Sequence, residues 1–491
     1  MSKKWIPTAL IVISAGLSPL MAHAQSADDV LRYSLQYPSY DPVSIVVPGV
    51  SQANGFGTYQ ENPASMALFK EGFMSFGLSN RTVSEQGTYL GNTTDFDDSQ
   101  TGVSDLGFVY KVPTIRGSLV IGGGYSQTTD FNRALAAGGR NNQSTLTDFY
   151  NITPDDSLFF AAFDVYAIDF ATTDSSYANT SSIFRIGFDG YPGIRQDVEL
   201  TERGTLGEYS AFFATEAQKG LMIGASVGLL AGSYAYERAF LETDNNNDYN
   251  FQFIPTEEGD TDIDNILSTD VINADITAFS ARVGVVYQPV SAISIGGSYQ
   301  FKSKMSVEEN YNTSISTIFD NGVEYFDEAP GRFSYTVTRP SRLNAGLTLS
   351  NLGGFTLSVA GERVRYTEGK IDFGDIQLRN QEREINRAVE SNLKDVINVR
   401  AGLEFEASPF FIPRIGYSYL PSPQSGIDAT REFYSGGFSA RLFDNLTFDL
   451  GVQYGMWDDQ NQLYDYGDGS EVVLEEVTRW SVMAGIRIGM Y

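Results

Sequence analysis

The sequence predicts an all-β protein: a 14-stranded antiparallel transmembrane β-barrel with an N-terminal hatch in the lumen. Three observations predict it. Apolar and polar residues alternate with period two over segments of about ten residues, the length a tilted strand needs to cross a bilayer. The joints between these segments are alternately short and long, as in outer-membrane barrels. No window beyond residue 24 approaches the ~20 consecutive apolar residues of a membrane helix.

The leader comes first in the chain. Lys3 and Lys4 precede an apolar run from Trp5 to Met21, broken by Pro7 and Pro19, and Ala22-His23-Ala24 has the small-x-small form of a cleavage site. Residues 1–24 therefore read as a signal peptide, with Gln25 starting the mature chain. A membrane anchor is the competing reading, but the run is short and no stop-transfer charge cluster follows.

Cleavage at this point removes His23, the only histidine, and the chain has no cysteine. Ser-His and Cys-His catalysis, thiolate metal sites and disulfides are thereby excluded from the mature protein. No cofactor is implied and no motif supports an enzyme. Losing Lys3 and Lys4 takes the net charge from −28 to −30. A nucleic-acid partner is excluded, because phosphate binding needs a basic surface. The acids crowd "TTDFDDSQ", "LETDNNNDYN", "PTEEGDTDIDN" and "WDDQNQLYDYGDG", leaving the intervening segments apolar, glycine-rich and aromatic.

Residues 25–70 precede the first strand pattern. They hold a glycine-rich run, "ANGFGTYQ", and then "ENPASMALF". Asn62 suits the cap of a short helix and Pro63 its first turn. Met66, Leu68 and Phe69 then form an apolar face that either meets a ligand or packs on an inner wall.

Residues 71–491 carry the barrel. Strand patterns fall near 72–81, 102–112, 116–127, 206–217, 220–233, 274–287, 291–303, 334–349, 354–366, 395–406, 410–420, 432–442, 446–457 and 476–490. In one of them Ile293, Ile295, Gly297, Tyr299 and Phe301 alternate with Ser294, Gly296, Ser298, Gln300 and Lys302. In a soluble sandwich the apolar face would be the core. In a barrel it meets lipid, with Tyr and Phe gathered near the strand ends. The joints decide for the barrel. "VPTI", "AQKG", "QPVSA", "NLGG", "ASPF" and "FDN" are short, and the joints after the odd-numbered strands are long and acidic.

Within this frame several candidates stand out. "VIGGGYSQ" places Gly122, Gly123 and Gly124 in the third strand, either as a kink or as glycines that make space in the interior. The external loops are expected at 128–204 and 235–272. The first contains "DDSLFFAAFDVYAIDF", whose Phe159, Phe160 and Phe163 either touch a ligand or pack a helix on the rim. "DTDIDN" and "DNNND" either hold calcium or are solvated. Arg282, Arg342, Arg400, Arg414 and Arg441 are expected to face the lumen and to pair with Glu362 and Glu404, and one of them is a candidate for a ligand carboxylate.

The fourteen strands, the hatch-sized N-terminal segment, the long second external loop and the Asn62-Pro63-Ala64 triplet resemble the FadL/TodX-type outer-membrane channels for long-chain fatty acids and hydrocarbons. "DDVLRYS" near the mature start is also similar to N-termini in that family. The resemblance implies a hatch motif at Asn62, Pro63 and Ala64. It implies a third-strand kink at the side opening and a hydrophobic groove in the long loops. It also implies passive uptake of fatty acids or hydrocarbons by a monomer in the outer membrane of a Gram-negative-type bacterium. An aqueous porin and a surface binding or adhesion barrel remain the alternatives. The location of residues 25–70 separates them.

Overall fold

In a computed structural model the described residues are 27–152, 157–171, 176–187, 190–249, 254–256, 259–467 and 469–490. The expected signal peptide, the first two residues of the expected hatch and Tyr491 lie outside them.

The wall is one closed antiparallel sheet. Its strands are β1 Gly72–Tyr89, β2 Asn92–Val112, β3 Leu119–Asp130, β4 Ile194–Gln218, β5 Leu221–Thr243 and β6 Ile263–Val290. The seventh and eighth strands are each interrupted once: β7 runs as Ile293–Gln300 and Ser303–Phe319, β8 as Glu324–Arg339 and Arg342–Leu352. The ring continues through β9 Phe355–Val364, β10 Val396–Phe405, β11 Phe411–Leu420, β12 Arg431–Phe443, β13 Leu446–Asp465 and β14 Ser470–Met490. Pairing of β1 with β14, Gly72 opposite Met490 through Thr88 opposite Leu474, closes it without a free edge. The expected fourteen strands and their order are all present.

The apolar faces point outward, as the alternation requires. Phe108, Phe213, Val227, Val285, Ile295, Val399, Ile415 and Trp480 are exposed on the outer surface of the chain. Their neighbours in sequence are buried inside: Ser226, Ser294, Asn398, Arg400, Arg414 and Ser481. An outward apolar belt around a polar interior is the pattern that a lipid surround stabilises.

The strands are much longer than the sequence patterns suggested. β6 has 28 residues and β4 has 25. The first joint, expected as a long loop over 82–101, is a two-residue turn. Leu90 and Gly91 both have positive φ there, the geometry that matches the twist of a hairpin. Half of the expected loop 235–272 is likewise strand, in β5 and β6. The expected joint between strands seven and eight is a β7–β8 hairpin with Ser303 opposite Arg339 and Ile318 opposite Glu324. Beyond the bilayer the outward face meets water in place of lipid, so the ladder continues while the apolar outward period stops.

One joint is a folded unit in its own right. Between β3 and β4 the strand Arg133–Asn141 pairs with the first part of β4, and two short helices, Leu146–Asn151 and Ser157–Asp164, follow. Thr145 and Asp148 form a reciprocal capping box at the start of the first of them. Leu146, Tyr150, Phe159, Val165, Ile168 and Phe184 bury themselves against Val198, Phe240, Ile266, Ile315, Leu463 and Val473 of the extended strands. The unit is a cap over the long-loop end of the ring.

Candidate functional site

Residues 27–69 pack against the inner faces of strands on all sides of the ring. A Cβ added at Gly107 of β2 would collide with Phe56, at Gly224 of β5 with Pro63 and Ala64, and at Gly284 of β6 with Asn62. At Gly296 of β7 and Gly346 of β8 it would meet Val50, at Gly402 of β10 Val47, at Gly416 of β11 Val46, and at Gly451 of β13 Pro42. Glycine weakens a strand but lets another backbone approach closely. These wall glycines therefore shape a seat for the N-terminal segment.

Polar anchors fix the segment in that seat. Asn62 accepts from the Ala64 N–H at 3.0 Å, capping the 3₁₀ helix Pro63–Leu68. Its amide donates to the Val50 carbonyl at 2.7 Å and, across to β6, to the Val285 carbonyl at 3.1 Å. Glu61 accepts from Arg400 of β10 and from the Gly49 N–H, each at 2.8 Å. Gln52 donates to Glu404 at 3.0 Å and Ser51 shares a hydrogen bond with Thr348 at 2.7 Å.

Met66 is fully buried among Phe56, Tyr59, Val109, Phe212, Met222 and Val286, with Leu68 and Phe69 at the margin of that cluster. The Phe69 ring lies 5.0 Å from Phe73 of β1. All three thus pack on the inner wall. Phe159 is fully buried in the cap. With Phe160, Phe163, Phe170 and Tyr177 it forms a cluster of edge-on and stacked rings, 5.0–6.5 Å between centroids.

The ladder is unbroken across Gly122–Gly124. Gly122 faces Val109 and Phe212, Gly123 faces Phe108 and Ala211, and Gly124 faces Gly107 and Ser210, with no slip of register. The irregularity of β3 lies beyond the glycines. Pairing of β3 with β2 ends at Ser126 opposite Asp105, and the register with β4 slips between Gln127 and Thr129. From Ser126 to Phe131 every residue is buried. The glycines make room instead: a Cβ at Gly122 would meet the Phe212 ring and one at Gly124 the Phe56 ring.

The lumen arginines are paired more widely than the sequence suggested. Arg342 meets Glu362 at 3.1 Å and Arg414 meets Glu404 at 2.6 Å, as expected. Arg282 instead forks onto Glu208 at 2.7 and 2.8 Å, and Arg400 holds Glu61. Arg441 lies on the same face as the inward Ser439 but is exposed near the end of β12. In "DNNND", Asp244 accepts from the backbone N–H groups of Asp248 and Tyr249, each at 2.9 Å. Burial pushes the Asp244 carboxyl above its usual range against those bonds. Among the described residues no group of three or more His, Cys, Asp or Glu is placed to hold a metal ion.

Between the N-terminal segment and the cap lies a cavity of about 800 Å³. Leu31, Leu35 and Tyr37 of the N-terminal segment, Phe149 and Leu158 of the cap, and Val83, Tyr234, Ile272 and Trp457 of the wall give it apolar surface. Charged pairs interrupt that surface. Arg133 holds Glu475 with two bonds of 2.6 and 2.7 Å and lies 3.4 Å from both Glu85 and Glu202. Asp130 lies between Arg81 at 3.4 Å and Arg479 at 3.5 Å. The sequence reading missed this set. Arg81 and Arg479 do lie on the polar face of strands it found, whereas Glu85, Glu202 and Glu475 lie on strand extensions without apolar alternation. Neither Met66, Leu68 and Phe69 nor Phe159, Phe160 and Phe163 line the cavity.

The family model described as outer membrane protein transport protein (OMPP1/FadL/TodX) matches residues 216–482. Among solved structures, the P. putida toluene transporter TodX aligns at 13% identity over 93% of this chain and 99% of its own, with a TM-score of 0.53. A Pseudomonas aeruginosa FadL homologue aligns at 11% identity over 93% and 99%, with a TM-score of 0.54. At these identities the likeness is one of fold. No curated protein matches the sequence.

Proposed function

Because the chain belongs to the OMPP1/FadL/TodX family of outer membrane transport proteins, we propose that it is a passive channel for hydrophobic molecules such as long-chain fatty acids, with residues 25–70 as the hatch. The observation that carries this reading is the stacking along the barrel axis: a cavity of about 800 Å³ under the cap, and below it an N-terminal segment seated on wall glycines. A cavity of that size is in the range that encloses a small organic ligand. A general aqueous porin needs an open lumen, and contacts on all sides of the ring weigh against one.

The route proposed runs from the cavity sideways through the wall. A buried methylene gains ~0.8 kcal/mol over water, so a long chain held in the cavity leaves more readily into lipid than into an aqueous compartment. The end of β2–β3 pairing at Ser126 supports an exit there, beside the outward-facing Leu106 and Tyr209. Residues 1–24 act in this reading as the cleaved export signal, and N-terminal sequencing of the purified protein should begin at Gln25.

Uptake by cells that lack their own channel for hydrophobic compounds tests the whole proposal. Expression of this protein should speed entry of labelled dodecanoate or toluene and leave entry of a water-soluble sugar unchanged. Fast sugar entry with no gain for either hydrophobic probe would establish a porin instead.

A further inference from the structure

Where the outward apolar belt ends on the long-loop side, the wall is acidic on one flank and basic on another. On β13 and β14 the first outward charges beyond Met456 and Trp480 are Asp458 and Glu476, which face each other in the ladder. On β7 the belt ends at Tyr299 and Phe301, whose rings lie 5.0 Å apart. Lysines follow there, Lys302 in the strand break and Lys304 beyond it, both exposed.

The neighbouring strands continue this basic edge. Lys304 faces Thr338 of β8, and Thr338 faces Lys370 of the short strand Lys370–Asp372. Directly opposed residues share a face, so the two lysine stems stand about 10 Å apart on the outer surface. On β9 Arg363 lies between Leu343 of β8 and Ile397 of β10, both exposed apolar side chains, and Arg365 follows on the same side. Five cations thus border the belt from β7 to β9, in a chain whose net charge is −28.

The acids nearby do not neutralise them. Glu368 takes Lys302 at 3.2 Å and Arg365 at 2.5 Å, and Asp395 takes Arg363 at 3.2 Å. Asp372 lies two residues beyond Lys370. Lys304 and Lys370 join no ion pair among the described residues. The side chains of Lys302, Arg363 and Arg365 stay 48%, 55% and 49% exposed, so the paired cations still present N–H groups outward. Such exposed pairs are weak and yield readily to a stronger anion.

The height of the row identifies that anion. The long loops of an outer-membrane barrel are extracellular, so cations at this edge of the belt lie where the acyl chains of the outer leaflet meet their head groups. Glycolipids of that leaflet carry phosphates on a glucosamine head. Arginine offers phosphate a two-pronged donor, and lysine a compact charge on a long stem.

We propose that Lys302, Lys304, Arg363, Arg365 and Lys370 form a binding site for the phosphates of an outer-leaflet glycolipid, whose acyl chains lie on Phe301, Leu343 and Ile397. The site holds lipid on one side of the barrel, because Asp458 and Glu476 repel the same head group on the other. It belongs to the outer surface and is independent of what the lumen carries.

Binding of bisphosphorylated lipid A, and of the same lipid freed of both phosphates, to the full-length protein in neutral detergent without divalent cations tests the proposal. Wild-type protein should prefer the phosphorylated lipid. The triple variant Lys304→Gln, Arg363→Gln, Lys370→Gln should reduce that preference roughly tenfold or more and leave binding of the dephosphorylated lipid unchanged. Arg116→Gln with Lys219→Gln, two exposed cations at the short-turn end, should keep the preference. Raising salt from about 0.05 M to about 0.5 M should erode it in the wild type, a measurement that needs no variant to fold. Inorganic phosphate at matched ionic strength should not displace the lipid. Equal affinity for both lipids in the wild type, an unchanged preference in the triple variant or at high salt, an equal loss in the short-turn variant, or displacement by inorganic phosphate overturns the proposal and leaves the channel reading standing.

Discussion

Glu61→Ala removes the carboxylate that ties the N-terminal segment to β10. Its partner Arg400 has only 9% of its side chain exposed and Glu61 only 7%. Truncating one member of such a pair leaves the other as an uncompensated buried charge, at a cost of about 3–5 kcal/mol. Arg400 would retain only its bond to the Ser44 carbonyl, and the Gly49 N–H would lose its acceptor. The whole cost falls on seating the segment, because the β10 ladder is made by backbone groups and stays intact. At about 1.4 kcal/mol per factor of ten, the unseated population should rise about a hundred- to several-thousandfold.

Amide hydrogen exchange across residues 44–61 should accelerate by a factor of that order in the purified full-length protein. Wall amides of β10 and β11 should exchange as before. Bursts of higher ion conductance should appear in planar bilayers. Glu61→Ala with Arg400→Leu should recover much of the loss, since an apolar pair carries no stranded charge. Unchanged exchange over 44–61 in the single variant would mean that the Glu61–Arg400 pair does not hold the segment in place.

Other substitutions probe the remaining elements. Gly416→Val places side-chain atoms against the Val46 carbonyl and should raise basal conductance in a barrel that still shows heat-modifiable mobility; normal conductance would show that the segment does not fit closely there. Phe159→Ala opens a cavity in the cap core and should cost about 3–5 kcal/mol locally, read as faster cleavage within 131–193 by protease added to intact cells, with the wall left uncut. Replacing Gly122, Gly123 and Gly124 together by valine should reduce folding, since a Cβ at Gly123 approaches the Ser210 carbonyl to 2.6 Å. Efficient insertion of that triple variant would show that the strand has slack that the ladder does not reveal.

The sequence by itself determined the wall where it crosses the bilayer. Ile293, Ile295 and Phe301 had to face outward and Ser294, Ser298 and Gln300 inward, because lipid on one side and a polar lumen on the other impose period two. It also marked Asn62-Pro63-Ala64 as a capped turn, since Asn and Pro suit only a few backbone positions. It did not reveal that Thr82–Tyr89 and Asn92–Thr101 form one hairpin, because the outward residues there meet water in place of lipid and carry no apolar period, although Val83 and Tyr89 are buried on the inner face. Nor did it show the function of the wall glycines. A glycine's absent side chain matters only once the segment packed against it is known, and that segment is far away in sequence. The tertiary structure alone decided which carboxylate each lumen arginine meets. Arg282, Arg342 and Arg400 look alike on an inward face. Their difference lies in which carboxylates the closed ring and the N-terminal segment bring within about 3 Å: Glu208 for Arg282, Glu362 for Arg342 and Glu61 for Arg400.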